Sequence, residues 1–312
     1  MRFIGEFYEG ERILGHYLCR KKELLKTKAG KGYLSLVLQD KTGSIAAKIW
    51  DIGNDIQDFE AGDFVKIDGD VTAYRDALEL RVAKIRQSRA DEYQPADYIP
   101  TTDKDIPEMM AQIGDLIDSI HNFHIKELVQ NIYNIPEIRE TLPSHSAAQH
   151  MHHAYWGGLC EHTLSVAQIC EFLAPRYKFV NRDLLLAAAL LHDIGKIFEI
   201  SPFPENEYTD EGQLIGHIVD TARIIREQAA KIPGFPPRLE TMLTHCIISH
   251  HGRLEWGAPK EPRLIEAAIL HEADHADATI KMYEEALQAA PAKSNWSNYH
   301  RVLGRSISKT NF

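Results

Sequence analysis

The sequence predicts two domains, a small all-β barrel followed by an all-α helical bundle. Three observations carry this expectation. The 312 residues exceed the roughly 100–200 usual for one domain. Between Tyr33 and Ile85 apolar residues alternate with period two, the mark of half-buried strands. After Pro107 the apolar spacing is helical throughout. With 44% hydrophobic and 26% charged residues, both parts have enough apolar surface for a core.

The strands come first. Leu34, Leu36 and Leu38 point to one side, as do Ile45, Ala47 and Ile49 after the Asp40-Lys41-Thr42-Gly43 turn, so the two runs form a hairpin. Val65, Ile67 and Val71, then Leu78, Leu80 and Val82, continue the alternation, with Gly69 where a strongly bent strand needs it. The barrel domain is expected over residues 1–90. Its outward positions hold Tyr33, Lys48 and Trp50, with Tyr74 and Arg75 nearby in sequence. Aromatics interleaved with cations suit a stacked single strand, and the same rings also suit cover for a domain interface.

Residues 91–106, polar and proline-containing, read as a linker. In the bundle, expected over 107–290, helices are predicted at Pro107–Tyr133, Gly157–Ala174, Arg182–Lys196, Asp210–Ala230, Arg238–His250 and Arg263–Gln288. Residues 291–312 read as a tail.

Composition excludes several classes. A net charge of −10 argues against a sequence-wide nucleic-acid coat, though not against a nuclease whose cations are metal ions. The four cysteines, Cys19, Cys160, Cys170 and Cys246, form no paired motif, which argues against a thiolate zinc site or a disulfide framework. Met1 to Glu11 has neither the basic nor the apolar part of a secretory leader. The longest apolar run, Leu184 to Leu191, is too short for a membrane span. The expectation is a cytoplasmic protein with no membrane partner.

Histidine is over-represented, with sixteen residues. The apolar run ends in His192-Asp193-Ile194-Gly195-Lys196, which buries an imidazole and a carboxylate together. That is costly unless a partner compensates, and a divalent cation compensates both. Further candidate ligands are His162, His217, His250, His251 and Asp274, nearly all on or at the end of a predicted helix, as convergent ligands in a bundle are. Each alone has an ordinary reading as a core residue or helix cap. His245 lies on a different face from His250 and is set aside. His271 and Asp277 are expected to support the site, and His152 and His153 to lie near substrate or simply cap a loop.

The order His, His-Asp, His, His-His, Asp resembles the HD-domain phosphohydrolase superfamily. Glu161-His162-Thr163, Leu191-His192-Asp193-Ile194-Gly195-Lys196 and Ala273-Asp274 carry its core pattern, and His217 with the His250-His251 pair matches two-metal members. The resemblance implies that Asp193 bridges two ions, His162, His192 and Asp274 completing one and His217, His250 and His251 the other. Mixed nitrogen and carboxylate ligation suits Mn²⁺, Fe²⁺, Co²⁺ or Zn²⁺. Such a pair activates a water for attack on phosphate. Asp193 is thereby catalytic, as is Lys196, which would neutralise phosphoryl charge.

The stretch Leu36 to Trp50 resembles a nucleic-acid-binding OB-fold. Joined ahead of an HD domain with His152-His153-Ala154-Tyr155-Trp156-Gly157-Gly158-Leu159 and Ser249-His250-His251-Gly252-Arg253-Leu254-Glu255-Trp256-Gly257, it is similar to the YhaM-type 3'-5' exoribonucleases of Gram-positive bacteria. That resemblance implies Mn²⁺-stimulated release of nucleoside 5'-monophosphates from the 3' end of single-stranded RNA, with DNA also accepted. The other readings are a cyclic-dinucleotide phosphodiesterase, an HD nucleotide phosphohydrolase, or a non-catalytic single-strand-binding protein. Gly252-Arg253-Leu254-Glu255-Trp256 stands where the first would carry Gly-Tyr-Pro, and Gly158 where some of those enzymes carry an extra glutamate ligand. The sequence leaves the oligomeric state open.

Overall fold

The computed structural model describes residues 2–27, 30–51, 53, 56–74, 77–94, 97–149, 153–291 and 294–310, with Tyr74 through its backbone alone. The chain divides into two compact units. One is Met1–Thr101 with Phe203–Glu205, the other Thr102–Pro202 with Asn206–Phe312.

The first unit is a closed barrel of β1 (Arg12–Lys26), β2 (Gly32–Asp40), β3 (Gly43–Ile49), β4 (Phe64–Tyr74) and β5 (Ala77–Gln87). The strands run in the order β1-β2-β3-β5-β4, antiparallel except for β3 beside β5. Period-two alternation sets the inside: Leu34, Leu36, Leu38, Ile45, Ala47, Ile49, Val65, Ile67, Val71, Leu80 and Val82 form one core. Leu78 departs from its expected inward place and is exposed, one pair from the end of the β4–β5 ladder.

The bend is built at Gly69, where the ladder slips register and a Cβ would lie 2.5 Å from the Arg81 carbonyl oxygen. Only glycine fits that approach. In the β2–β3 turn Asp40 Oδ1 accepts from the Thr42 amide at 2.7 Å, which locks the register. Strand β1 was not expected, because its outward run Arg20-Lys21-Lys22-Glu23 masks the inward Ile13, Tyr17 and Cys19. A bulge between Cys19 and Lys21 lets this one strand pair with β4 and then β2.

Residues 91–94 and 97–101, expected as linker, pack in the first unit. Tyr93 stacks on Phe64 at 4.0 Å, Tyr98 meets the same ring edge-on at 5.3 Å, and the Lys41 amide donates to the Asp97 carbonyl at 2.9 Å.

The second unit is helical: α1 (Ile106–Asp118), α2 (Phe123–Tyr133), α3 (Pro136–Thr141), α4 (Gly158–Leu173), α5 (Arg182–Leu191), α6 (Lys196–Glu199), α7 (Asp210–Leu214), α8 (His217–Ala229), α9 (Pro237–Ser249) and α10 (Ile265–Gln288). Two expected helices are split. Asn122, whose side chain accepts from the Ile125 amide, restarts the chain as α2, and Gly216, with φ 82°, separates α7 from α8. Helix α5, capped by Asn181, is the axis of the bundle. Every residue from Leu184 to Leu191 is buried, and α2, α4, α9 and α10 pack around it. The tail folds back through paired bridges, Trp296 with Ser308 and His300 with Arg305. Among the described residues, no helix is long and apolar enough to cross a membrane.

Candidate metal centre

Five helices bring the candidate ligands to one place. His162 lies on α4, His192 caps the C-terminus of α5 with Asp193 next, His217 opens α8, His250 and His251 follow the end of α9, and Asp274 sits on α10. Gly195 makes the convergence possible. A Cβ there would lie 2.3 Å from the His217 carbonyl oxygen, so α8 reaches the dipeptide only because that atom is missing. The Gly195 amide then donates to Thr221 Oγ1 at 3.0 Å, tying the turn to α8.

Asp193 is central, and its two oxygens face different partners. Oδ2 lies 3.4 Å from Nε2 of both His162 and His192. Oδ1 lies 3.4 Å from His217 Nε2 and 3.7 Å from His250 Nε2. Asp274 Oδ1 joins the first group, 3.2 Å from His162 Nε2. His251 joins the second, its ligand atom within 4.8 Å of those of His217 and His250.

The opposite edge of each ring is committed to the protein. Nδ1 donates to the carbonyl of Ala189 from His192 at 2.8 Å, of Ile247 from His250 at 2.7 Å and of Trp256 from His251 at 3.0 Å. His162 Nδ1 donates to Asp277 at 2.7 Å, and His217 Nδ1 to Glu199 at 2.9 Å. A carbonyl or carboxylate only accepts, so the Nδ1–H tautomer is set and each Nε2 lone pair points inward. Asp193 Oδ1 and His217 Nε2, both acceptors on this account, are buried facing one another without a hydrogen-bond donor among the described residues. Such pairs are stable around a cation, and this donor set of imidazole nitrogens and carboxylate oxygens fits a borderline divalent ion.

The charges fit the same picture. Burial acts upward on Asp193, yet Lys196 and the histidines outweigh it and hold the carboxyl well below its ordinary range. Burial acts downward on His162, but the carboxylates of Asp193, Asp274 and Asp277 outweigh it and hold the ring well above its usual value, a preference for positive charge at Nε2 that a bound cation would satisfy in place of a proton. His250 is pushed well down by burial and by neighbouring His251 and His192. Lys196 Nζ lies 2.7 Å from Asp193 Oδ2. A pocket opens here, lined by Asp193, Lys196, His250, His251, Trp256, His271, Asp274, His275, Ala278 and Val302.

Supporting residues complete the arrangement. Asp277 Oδ2 accepts from His162 Nδ1 and lies 3.0 Å from His153 Nε2, and Ser165 Oγ donates to its other oxygen. His153 is therefore buried behind the ligands, while His152 lies outside the described residues. His271 Nδ1 donates to the His250 carbonyl at 2.9 Å, and His245 accepts from the Arg263 amide at 2.8 Å. Sequence reasoning missed Glu199. Its signal is faint, a carboxylate one helical turn after Lys196 whose partner is eighteen residues on.

On the barrel, Tyr33 and Trp50 stack on each other at 4.6 Å with 23° between planes. Lys48 Nζ lies 5.6 Å from the Trp50 ring centre and 2.5 Å from Glu79 Oε2, so its charge is shared with a carboxylate. Arg75 and the Tyr74 side chain lie outside the described residues.

A family model described as HD domain matches residues 159–279, and one described as OB-fold nucleic acid binding domain matches residues 19–87. The curated protein named 3'-5' exoribonuclease YhaM from Geobacillus sp. (strain WCH70) is 34% identical over 311 residues, covering 99% of this chain and 95% of the relative. The chain belongs to the YhaM family of 3'-5' exoribonucleases. YhaM from Shouchella clausii (strain KSM-K16) is 35% identical over 305 residues, covering 97% and 95%, and YhaM from Listeria innocua serovar 6a is 35% identical over 287 residues, covering 90% of each. The two family models match this chain in the order of its two units.

Proposed function

We propose that this chain is a metal-dependent 3'-5' exoribonuclease that shortens single-stranded RNA, and DNA as a second substrate, to nucleoside 5'-monophosphates. The observation that carries the reading is the division of Asp193, with one oxygen toward His162 and His192 and the other toward His217 and His250. In this reading Asp193 would help to hold two ions. His162, His192 and Asp274 complete one set of ligands, and His217, His250 and His251 the other. Mn²⁺ suits these donors best, with Fe²⁺, Co²⁺ and Zn²⁺ as alternatives. Bound there, divalent ions supply Lewis acidity toward phosphoryl oxygens and a water of lowered pKa.

The chain's own groups have separate tasks. Asp277 and Glu199 hold His162 and His217 in the ligating tautomer. Lys196, at the pocket wall beside Asp193, places a fixed positive charge where phosphate oxygens enter. On the barrel, Tyr33 and Trp50, with Lys48, form the surface for the strand. Because Lys48 is paired with Glu79, affinity there comes from the rings more than from that cation.

The test is incubation of 5'-end-labelled single-stranded RNA with the purified protein and Mn²⁺. A ladder shortening from the 3' end with release of 5'-monophosphates supports the reading. Intact RNA beside a hydrolysed deoxynucleoside triphosphate overturns it in favour of a nucleotide phosphohydrolase.

A further inference from the structure

We propose that the pocket beside the ligands contains a nucleobase platform, Trp256 backed by His275, on which the 3'-terminal base of the strand stacks. The inference rests on the exoribonuclease reading and names the part of the substrate that this pocket holds.

Trp256 is 45% exposed, which leaves a large apolar ring open to contact at the pocket. Its backbone is not loose. The Trp256 carbonyl accepts from His251 Nδ1 at 3.0 Å, and its amide donates to the Arg253 carbonyl at 3.1 Å. The loop is pressed onto α10 at Gly252, where a Cβ would lie 2.3 Å from the His271 ring. The indole is therefore presented at a set distance from the candidate ligands. His275 lies nearly parallel to it, 24° between planes and 5.6 Å between centres, and so backs the indole.

The chemistry of the lining points to a base. Carboxylates, imidazoles and Lys196 attend to phosphate, and nothing among them is flat and apolar. The remaining described lining includes no Asn, Gln, Ser or Thr to read base edges. An enzyme that meets each base in turn needs contact with a face, which every base has, rather than an edge pattern, which differs. Arg253 completes the site. Its guanidinium lies 4.7 Å from the Trp256 ring centre and, among the described residues, pairs only with exposed Glu255 at 3.4 Å, so it is able to lift and settle over a base.

The test compares single-stranded RNAs that end in a normal or an abasic 3' nucleotide. The wild-type protein with Mn²⁺ is expected to favour the normal end by about tenfold or more in kcat/KM, within the range for one stacked base. Trp256→Ala, which keeps the backbone carbonyl, brings the ratio to within about twofold, and Trp256→Phe retains most of it. His275→Ala lowers it part-way and serves should Trp256→Ala fold poorly. An undiminished ratio in Trp256→Ala, or no preference in the wild type, overturns the platform. Should the wild type not shorten RNA at all, the exoribonuclease reading fails. Calorimetry of adenosine 5'-monophosphate against ribose 5-phosphate then still decides the platform. Tighter nucleotide binding that Trp256→Ala abolishes supports it, and equal affinities overturn it.

Discussion

Replacing Glu199 by glutamine tests whether the second ligand set is aimed by its surroundings. The two carboxylate oxygens lie 3.0 and 2.9 Å from His217 Nδ1, and one also accepts the His217 amide at 3.2 Å. Burial acts upward on Glu199, yet His217 outweighs it and keeps the carboxyl below its ordinary value, so the group is ionised at neutral pH. Glu199→Gln keeps the shape and one acceptor but removes the charge that raises the basicity of Nε2. Loss of such a partner weakens metal binding by about 10- to 100-fold, or about 1.4–2.7 kcal/mol. Glu199 touches His217 and none of His162, His192 or Asp274. Calorimetric titration with Mn²⁺ is therefore expected to show one equivalent unchanged and one weakened, with activity restored by excess Mn²⁺. An isotherm that superimposes on the wild type refutes the reasoning, as does equal weakening of both equivalents.

His192→Ala and Asp193→Ala are expected to abolish 3'-terminal nucleotide release while RNA still binds in a gel-shift assay; undiminished turnover by metal-replete Asp193→Ala protein would exclude this centre. Gly195→Ala drives a methyl toward the His217 carbonyl, so both melting temperature and Mn²⁺ affinity fall; retention of wild-type values in both counts against the close approach. Tyr33→Ala with Trp50→Ala removes the barrel stack, and KM for a twelve-nucleotide RNA is expected to rise about fivefold or more with a smaller change in kcat. A change confined to kcat contradicts the assignment. Glu92 accepts from Arg86 through two bonds of 2.7 Å, which hold its carboxyl far below its ordinary value of 4.5. A depressed carboxyl stabilises the fold above its unfolded pKa and loses that contribution as pH falls toward the folded one. The melting-temperature gap between wild type and Glu92→Gln is therefore expected to be full above about pH 5 and to narrow below it. A gap constant from pH 7 to pH 3 contradicts this.

The convergence of His162, His192, Asp193, His217, His250, His251 and Asp274 was legible because helices and a short motif name these residues one by one. Their supporters were not. Glu199 meets His217 through the turn between α7 and α8, and that turn exists because Gly216 takes a positive-φ conformation that spacing alone does not reveal. In the barrel, alternation assigns Tyr33 and Trp50 to the outer face but is silent on ring rotation, and the rings meet each other. Lys48 finds Glu79 because β3 and β5 pair in parallel, a neighbour relation invisible to hairpin reasoning. Strand β1 escaped notice because charges on its outer face interrupt the pattern that its inner face keeps.

Helix α5 is wrapped on every side by apolar neighbours, and the ligands begin one residue past its end. The core is thus finished before any ion arrives, and the imidazoles are aimed by bonds that do not involve one. A zinc finger's fold and metal stand or fall together; here, by contrast, treatment with a chelator is expected to leave the melting temperature of the bundle nearly unchanged, and loss of the fold on chelation would contradict this. A socket aimed in advance in this way would admit whichever divalent ion suits imidazole and carboxylate donors, so the choice of ion would fall to supply and coordination preference rather than to folding.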